Sequence, residues 1–391
     1  MIHQVLRIIE LVAVAATVAS IAYYIVCIWS AARFLKDAAA NTAHATAHAT
    51  HDLPPVSILK PLKGTDPGMY ESFRSHCLQD YPACEIIFGV SDPNDPAIEL
   101  VERLRAEFPQ REIRLVHCPQ NLGSNTKVSN LTQMLPHASH EYIIVNDSDI
   151  RVPPDYLRRV LAPLVDPGIG LVTCPYRGVA NATLGSQLES LGISTDFFPG
   201  VLVARNLEGV KFGLGSTLAF RRRDLQAIGG FEAFVDYLAD DYHIGNRIAE
   251  LGKNIELSSV VVDSLLPRYT IRSFFEHQLR WARTVKDVRR WGYLGLGVTF
   301  GVPWALLTLI LARGASWSWM LLAVTVGMRL AVAVYVGQKV LRDPQLLLLL
   351  WLPLRDTVAL FVWLASFVGH TVTWRGASYT LKQGKLARMS L

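Results

Sequence analysis

The chain has 391 residues, of which 51% are hydrophobic and 18% are charged, and its formal net charge is +5. This composition excludes a disordered or fibrous chain, and a mean hydropathy of +0.26 indicates that part of the chain lies in lipid. Residues 1–51, 52–290 and 291–391 carry net charges of +1, −3 and +7. The long middle section is therefore mildly acidic, which argues against a nucleic-acid partner.

The first hydrophobic segment lies near the N-terminus. Leu11–Ala31 contains 21 residues without a charge and is followed by Arg33 and Lys36. At ~1.5 Å per residue, a helix of this length crosses the ~30 Å hydrocarbon layer. The segment is also longer than the apolar core of a cleaved signal peptide, so we expect residues 1–36 to form a transmembrane anchor.

Further hydrophobic segments fill residues 291–374. Trp291–Ala312 is uncharged, and Gly314–Gln338 contains only Arg329, which we expect to snorkel or to lie at the interface. Gln345–Trp374 is interrupted by Arg355 and Asp356, and its first half is too short to cross a bilayer alone. This pattern predicts transmembrane helices together with a re-entrant hairpin or partial span, which is followed by a full span at Thr357–Trp374.

Basic residues flank these segments. Residues 268–290 contain seven basic and two acidic side chains, and the tail at residues 375–391 is also basic. Basic flanks favour the cytoplasmic side, so we expect a multi-pass protein whose middle domain faces the cytoplasm. The Ala/Thr/His-rich residues 37–53 are predicted to be a low-complexity linker.

The middle section alternates short β-rich runs with helical ones. Helical spacing of apolar residues is found in Pro96–Phe108 and Lys127–Leu135. The predicted strands are Val56–Lys60, Glu85–Ser91, Glu112–His117 and Tyr142–Asn146. This alternation is typical of an α/β domain in which helices cover both faces of a mostly parallel sheet. In such sheets, ligands bind beyond the carboxyl ends of the strands.

Acidic residues follow two of these strands. Asp92 comes after the second, and Asp147 and Asp149 come after the fourth. An Asp-x-Asp pair suits Mg²⁺ or Mn²⁺, which bind one or two carboxylates and complete their coordination with water and substrate phosphates. A turn or helix-capping role would also explain aspartates before Pro153 and Pro154.

Further downstream lie residues suited to transfer chemistry. Asp240 and Asp241 form an acidic pair that can supply a general base to an alcohol nucleophile. Arg280 has the planar fork that suits a pyrophosphate, and Trp281 suits a flat sugar or lipid surface. Taken singly, these residues also fit a helix cap, a surface cation and an interfacial aromatic.

The order of these motifs resembles that of the inverting GT-A glycosyltransferases of the ceramide glucosyltransferase-like family, and within it the bacterial hopanoid-biosynthesis enzymes. The resemblance implies a GT-A (Rossmann-like) domain at residues 54–267 and an Arg-Trp motif in the segment 268–290. The motifs that carry it are KPLKGTDPGMYESF, QDYP, SDPNDPA, NTKVSNL, NDSDIRVPPDYL, ADDYHIG and LRWAR.

The resemblance also implies roles for individual residues. Asp241 would be the catalytic base, while Asp149 and Asp147 would hold Mg²⁺ or Mn²⁺. The residues implied to bind the nucleotide sugar are Asp92, Lys127, Asp147, Arg280 and Trp281.

Two features depart from the family pattern. The last motif usually opens with Gln or Arg, but this chain has His277 at that position and Gln278 at the next, so a role for His277 rests on position alone. Relatives acting on ceramide can have Gly in place of Asp149, and the complete Asp-x-Asp implies metal dependence. If transfer survives loss of Asp241, Asp240 becomes the candidate base.

The implied activity is inverting transfer of a sugar from a UDP-sugar donor to a lipid hydroxyl at the cytoplasmic face of a bacterial inner membrane. We favour N-acetylglucosamine and bacteriohopanetetrol, with glucose transfer to ceramide or diacylglycerol as the alternative. Remoter alternatives are a haloacid dehalogenase-type phosphatase, a processive polysaccharide synthase and a membrane transporter or receptor. The number of spans argues against the synthase, and the lack of a paired set of intramembrane charges argues against the transporter or receptor.

Overall fold

The computed structural model describes residues 2–47, 54–374 and 377–388. The chain falls into two units. Unit 1 comprises Met1–Lys36, Ala182–Glu208 and Tyr269–Gln383. Unit 2 comprises Asp37–Asn181, Gly209–Arg268 and Gly384–Leu391.

Strands and helices are numbered in chain order. The strands are β1 Val56–Leu62, β2 Cys84–Val90, β3 Glu112–His117, β4 Tyr142–Val145, β5 Ile150–Arg151, β6 Ile169–Thr173, β7 Tyr176–Val179, β8 Leu218–Arg221, β9 Asn254–Leu257, β10 Val262–Leu265, β11 Thr371–Trp374, β12 Ala377–Lys382 and β13 Lys385–Arg388. The α-helices are α1 Ile2–Ala47, α2 Met69–Cys77, α3 Ala97–Glu107, α4 Thr126–Met134, α5 Tyr156–Leu161, α6 Leu184–Gly192, α7 Phe198–Glu208, α8 Arg222–Ala227, α9 Asp240–Glu250, α10 Ile271–Val288, α11 Arg290–Gly295, α12 Gly301–Leu311, α13 Ser316–Val334 and α14 Leu352–Ser366. Ile193–Phe197 and Tyr335–Val340 are π-helical, and Leu346–Trp351 is 3₁₀-helical.

Unit 2 is built on a seven-stranded sheet with the order β3-β2-β1-β4-β8-β6-β9. Only β8 runs antiparallel to its neighbours, so the sheet is mostly parallel, as predicted. The four predicted strands correspond to β1–β4 and shift by at most two residues at their ends. Because β1, β2 and β4 are parallel, the residues that follow β2 and β4 lie along one edge of the sheet.

A second sheet supports that edge. β10 pairs antiparallel with β5 and parallel with β7. Arg151 of β5 and Arg177 of β7 both pair with Asp263 of β10, each at 2.7 Å. Since β5 begins directly after Asp149, this small sheet fixes the backbone of the Asp-x-Asp segment, and Leu265 N donates to the Asp149 carbonyl.

Unit 1 contains the helices that are long and apolar enough to cross a membrane. Within the residues that the structure describes these are Ile2–Ala40, Ser316–Val340 and Leu346–Ser366. A fourth candidate is the pair Arg290–Thr299 and Gly301–Leu311, which is bent by 52°. Predicted spans near Leu11–Ala31 and Gly314–Gln338 therefore have helical counterparts, whereas the predicted Trp291–Ala312 span is broken near Phe300.

The C-terminal hydrophobic segment differs from the prediction. Arg355 and Asp356 do not interrupt it, because Leu346–Ser366 is one continuous helical run. The run ends at Ser366, and β11 and β12 then form an antiparallel hairpin. The re-entrant hairpin and the full span to Trp374 were therefore wrong. Charges break a span when they are unpaired, and here Asp356 is paired with Arg329.

Arg329 also corrects a prediction. It is 4% exposed and its guanidinium contacts Asp356 and Asp196, each at 2.6 Å, so it does not snorkel. The argument against a transporter from missing paired intramembrane charges was wrong on this point. The partners come from helices distant in sequence, which a span-by-span analysis does not join.

Three boundaries also differ. Ala182–Glu208 groups with unit 1 although we predicted it inside the domain at residues 54–267, because α6 packs against α10 and both α6 and α7 pack against the π-helical turn. The predicted linker is helical as far as Ala47, and residues 48–53 lie outside the described residues. In the basic tail, Lys385–Arg388 forms β13, and residues 389–391 lie outside the described part.

Candidate active site

The first turn of α4 brings a cation to the edge of the large sheet. Asn125 caps this helix by accepting a hydrogen bond from Val128 N at 3.2 Å. Its amide nitrogen donates to the Tyr237 carbonyl at 2.7 Å and to Asp240 Oδ1 at 3.3 Å. Asn125 thus joins the start of α4 to the start of α9, and Lys127 lies two residues into α4.

Lys127 lies between two of the predicted site residues. Its Nζ is 2.8 Å from Asp147 Oδ1 and 3.4 Å from Asp240 Oδ2. Burial acts against the charged amine, but Asp147 and Asp240 outweigh it and raise the pKa of Lys127 above its usual value. The structure therefore brings together three residues that the sequence analysis named from separate motifs.

The Asp241 carboxylate lies close to Asp147 as well, and Gly215 is next to both side chains. A Cβ on Gly215 would lie 3.1 Å from Asp241 Oδ2 and 3.5 Å from Asp147 Oδ2, so glycine leaves both carboxylates space. Asp241 Oδ1 accepts a hydrogen bond from Tyr242 N at 2.8 Å. Burial and the neighbouring Asp240 raise the pKa of Asp241 to about 7, against the opposing effect of Lys127. A carboxyl group with this pKa can take up a proton near neutral pH.

Asp149 is the second acid of the Asp-x-Asp motif. Its Oδ2 accepts a hydrogen bond from Ser264 Oγ of β10 at 2.6 Å. Burial and the charge of Asp147 raise the pKa of Asp149 to about 6. Two partly buried carboxylates that repel each other are a suitable environment for a cation.

Lys60 of β1 is a site residue that the sequence analysis did not single out. Its side chain is fully buried, and Nζ donates to the Asp147 carbonyl at 3.0 Å. Burial lowers the pKa of Lys60 to about 7, although Asp149 and Asp147 act in the opposite direction. The available signal was a lysine inside an apolar strand, where a charge requires a partner.

A buried polar network lies behind the Asp-x-Asp segment and was also missed. The Asn146 amide donates to the Ser216 carbonyl at 2.7 Å and to Tyr156 and Thr217, while His76 Nε2 lies 3.3 Å from Asn146 Oδ1. Burial and Lys60 lower the pKa of His76 to about 3, so it is neutral. The network fixes the residue just before Asp147.

Asp92 lies on the same edge of the sheet, after β2. Its side chain is exposed, and its Oδ1 accepts a hydrogen bond from Asn94 N at 2.9 Å. Asp95 is the structural acid of this loop, because it is buried and accepts hydrogen bonds from Gly64 N and Ala97 N. The nucleotide-sugar contact implied for Asp92 stays a prediction.

The remaining predicted residues belong to α10 in unit 1. His277 and Trp281 are one helical turn apart, with ring centroids 5.9 Å apart, and Trp281 meets the edge of Phe197 at 5.5 Å. Gln278 Nε2 donates to Glu189 Oε2 at 2.5 Å, and His277 Nδ1 lies 3.5 Å from the same oxygen.

Glu189 of α6 was not foreseen. Burial disfavours its ionisation, but His277 and Arg355 outweigh that effect and lower its pKa. His277 and Gln278 therefore share a buried carboxylate, while Arg280 follows on the same helix and its carbonyl accepts a hydrogen bond from Thr284.

Asp147 and Asp149 are the metal ligands that the sequence analysis predicts. Within residues 2–47, 54–374 and 377–388, no group of three or more His, Cys, Asp or Glu side chains is arranged as a metal site. The Asp-x-Asp acids thus offer only part of a coordination shell.

Together, a mostly parallel sheet, an Asp-x-Asp segment at its carboxyl edge and a partly buried carboxyl group with a pKa near neutrality define a GT-A-like glycosyltransferase. The sequence profile of glycosyl transferase family 21 matches residues 12–387. The chain belongs to glycosyl transferase family 21. The phosphatase alternative is therefore withdrawn.

Curated relatives of this chain are ceramide glucosyltransferases. Ceramide glucosyltransferase 1 of Caenorhabditis elegans is 24% identical over 359 residues, which cover 86% of this chain and 74% of the relative. A ceramide glucosyltransferase of Komagataella phaffii is 37% identical over 101 residues, covering 25% of this chain and 20% of the relative. These relatives and the apolar helices support a membrane glycosyltransferase.

Among solved structures, the chain resembles a mannosyltransferase from Pyrobaculum calidifontis determined with GDP-mannose and Mn²⁺. The TM-score is 0.54 at 18% identity, and the match covers 92% of this chain and 99% of that one. At this identity the likeness establishes the fold, and it agrees with the GT-A prediction.

Proposed function

We propose that this protein transfers a sugar from a UDP-sugar to a hydroxyl group of a membrane lipid, with inversion at the anomeric carbon. The observation that carries the proposal is the approach of the Asp241 carboxylate to Asp147 at Gly215, where burial raises the pKa of Asp241 to about 7. A group with this pKa is suited to accept the hydroxyl proton near neutral pH.

In this mechanism Asp241 removes the proton from the lipid hydroxyl as its oxygen attacks the anomeric carbon. The bond from the sugar to the diphosphate breaks, and UDP leaves with the electron pair. Lys127, held as a cation by Asp147 and Asp240, adds positive charge near the leaving group. Asp92 is proposed to contact the uracil. Arg280 and Trp281 keep their implied roles in diphosphate and acceptor binding.

The acids of the Asp-x-Asp segment fit a divalent cation. Asp147 is 39% exposed, and the pKa of Asp149 is raised by burial and by Asp147, so added positive charge at these oxygens would be stabilising. We propose that Asp149 and Asp147 hold Mg²⁺ or Mn²⁺. When bound, the ion would neutralise negative charge on the diphosphate.

The donor and the acceptor are the finer part of the proposal. A complete Asp-x-Asp motif and the order of the motifs favour UDP-N-acetylglucosamine and bacteriohopanetetrol in hopanoid biosynthesis. The second candidate is transfer of glucose from UDP-glucose to ceramide or diacylglycerol. This alternative is favoured by the names of the curated relatives.

One experiment separates these candidates. Membranes containing the protein are incubated with labelled UDP-glucose or UDP-N-acetylglucosamine and with ceramide, diacylglycerol or bacteriohopanetetrol, and the lipid phase is analysed. A labelled lipid identifies donor and acceptor together. A soluble labelled polymer as the sole product, or no transfer to any of these lipids, would contradict the proposal.

We further propose that unit 2 faces the cytoplasm of a bacterial cell at the inner membrane. The seven basic residues within residues 268–290 support this orientation. Protease treatment of inside-out vesicles should cleave unit 2, whereas intact right-side-out vesicles should protect it. The reverse pattern would place the domain outside.

A further inference from the structure

Four charged side chains meet among the helices of unit 1. Arg329 lies on α13, while Arg355 and Asp356 are neighbours on α14. Asp196 lies in the π-helical turn Ile193–Phe197. Ionisable side chains within membrane helices are costly, and they are most often retained for a function.

Arg329 has a full set of partners. Its Nε contacts both carboxylate oxygens of Asp356 at 3.1 and 3.2 Å, and its Nη2 donates to Asp356 and Asp196 at 2.6 Å each. Its Nη1 donates to the Thr195 carbonyl at 2.8 Å. Asp356 is likewise satisfied through both oxygens. This ion pair is complete without a ligand.

Arg355 is different. It is 6% exposed, and neither Nε nor Nη1 finds an acceptor among the residues that the structure describes. Its Nη2 lies 3.2 Å from Asp196 Oδ2, but the two atoms do not form a hydrogen bond, and this buried oxygen likewise has no donor within the described part of the chain. A buried polar atom left without a partner destabilises the fold, and a charged one does so more strongly.

The hydrogen-bonding atoms that lack partners indicate the chemistry of a ligand. Two guanidinium nitrogens need acceptors and one carboxylate oxygen needs a donor, which suits hydroxyl or amide groups. The two arginines and two aspartates sum to no net charge, and the next carboxylate, Glu189, makes the surroundings more negative. An anionic phosphate would therefore gain little here.

The position of these atoms indicates a lipid. Arg355 lies within the candidate span Leu346–Ser366, where a ligand's apolar body would remain in the bilayer. The π-helical turn that carries Asp196 ends at Phe197, whose ring meets Trp281 at 5.5 Å. The turn thus joins the charged cluster to the Arg-Trp motif, and π-helical turns are frequent at functional sites.

We propose that Arg355 and Asp196 bind the uncharged polar head of the acceptor lipid through its hydroxyl or amide groups and select it against anionic phospholipids. This inference rests on the proposed function for the identity of the ligand as an acceptor. Arg329 and Asp356 hold Asp196 and the two helices in place.

The test measures lipid retention without a donor sugar. Full-length protein is equilibrated with mixed micelles containing equal amounts of ceramide, bacteriohopanetetrol, phosphatidylcholine and phosphatidic acid, repurified, and its lipids are counted by mass spectrometry. We expect ceramide or bacteriohopanetetrol to be enriched about tenfold or more over phosphatidic acid, as one or two hydrogen bonds to a charged group predict.

Two variants perturb the site in different ways. Arg355→Gln removes the charge and should reduce the enrichment about tenfold. Gly192→Ala leaves every charge in place, but its Cβ would collide with Arg355 Nε and Nη2. Because a flexible guanidinium can move aside, this change should preserve the fold and still reduce enrichment. Arg313→Gln, at an exposed arginine between α12 and α13, is the matched control and should match the wild type.

The inference is overturned if the wild type enriches neither hydroxylated lipid, if phosphatidic acid is preferred, or if folded Arg355→Gln and Gly192→Ala both retain the wild-type enrichment. Failure of the proposed function gives a different result. In that case the hydroxylated lipid is enriched and depends on Arg355, yet none of the UDP-sugars labels it.

Discussion

The carboxylates of Asp241 and Asp147 both approach Gly215, and a Cβ there would lie 3.1 Å from Asp241 Oδ2 and 3.5 Å from Asp147 Oδ2. The first distance is tighter than most Cβ contacts, so one carboxylate must shift by a few tenths of an ångström in Gly215→Ala. We expect kcat to fall about tenfold, since a misplacement of ~1 Å costs about 100-fold. Initial rates at saturating donor measure this fall in kcat.

The thermal midpoint of Gly215→Ala should stay close to that of the wild type, because the backbone of Gly215 does not require glycine. A wild-type rate in this variant would show that the spacing of the two acids does not limit catalysis.

Asp241→Asn should abolish proton abstraction while preserving the shape of the site. We expect kcat to fall by about 10²–10⁴, the range contributed by a positioned general base. Binding of the UDP-sugar, measured by calorimetry, should change little. Asp155→Asn, at an acid whose side chain is 54% exposed, provides the control. Persistent transfer in Asp241→Asn would make Asp240 the candidate base.

The raised pKa of Asp241 predicts the pH dependence of the reaction. As a base Asp241 must be ionised, so kcat should rise with pH and level off above about 7. Asp240 is a principal cause of the raised pKa, so Asp240→Asn should shift this rise towards acid pH. A profile that stays flat from pH 5 to 9 would be inconsistent with Asp241 as the base.

The raised pKa of Asp241 also makes the free energy of unfolding depend on pH. Asp241 binds its proton more tightly when folded, so the free energy of unfolding should fall as pH rises from about 4 to about 7. Asp241→Asn removes this effect and should be more stable than the wild type at pH 8, in melts recorded without added metal. Equal melting of the two proteins at pH 8 would contradict this reasoning.

Lys127 neutralises Asp147 and Asp240, and its removal leaves these carboxylates without a cation. We expect Lys127→Gln to lose about 1–3 kcal/mol of stability, less than for a fully buried pair because Asp147 is 39% exposed. Mn²⁺ should raise the melting temperature of this variant more than that of the wild type, because the uncompensated charge attracts the ion. Arg105→Gln removes an exposed ion pair with Glu102 on α3 and is the control.

Arg329 and Asp356 should show the behaviour of a buried ion pair. Arg329→Met leaves Asp356 uncompensated and should cost about 3–5 kcal/mol, whereas adding Asp356→Leu should restore part of the loss. Recovery should be incomplete because Arg329 also holds Asp196. Thermal unfolding in detergent of the wild type, the two single variants and the double variant measures the coupling of the pair. Additive effects of the two changes would show that the pair is not coupled.

Local sequence patterns were sufficient for much of unit 2. The strands β1–β4 and the helices α3 and α4 follow from apolar spacing, because each lies in one continuous run of residues. The Asp-x-Asp segment could be named from its position after a strand, and Asp240 and Asp241 could be named as adjacent acids. Their proximity to Lys127 required the folded sheet.

Other features depend on contacts that no local pattern encodes. Arg329 and Asp356 are 27 residues apart, and each looked like an interruption of its own span. Lys60 and His76 are polar residues inside apolar elements, and their partners come from the loop after β4. Ala182–Glu208 joined unit 1 through packing that composition does not reveal.

The strand β13 has a consequence for biosynthesis. Its Leu386 N donates to the Asp236 carbonyl at 2.8 Å, and Leu238 N donates to the Gly384 carbonyl at 3.0 Å. Residues 236–238 lead directly into Asp240 and Asp241. The ribosome makes β13 only after all the hydrophobic segments of the chain have been synthesised. The segment that precedes Asp240 and Asp241 therefore pairs with β13 only after the candidate membrane-spanning helices have been synthesised.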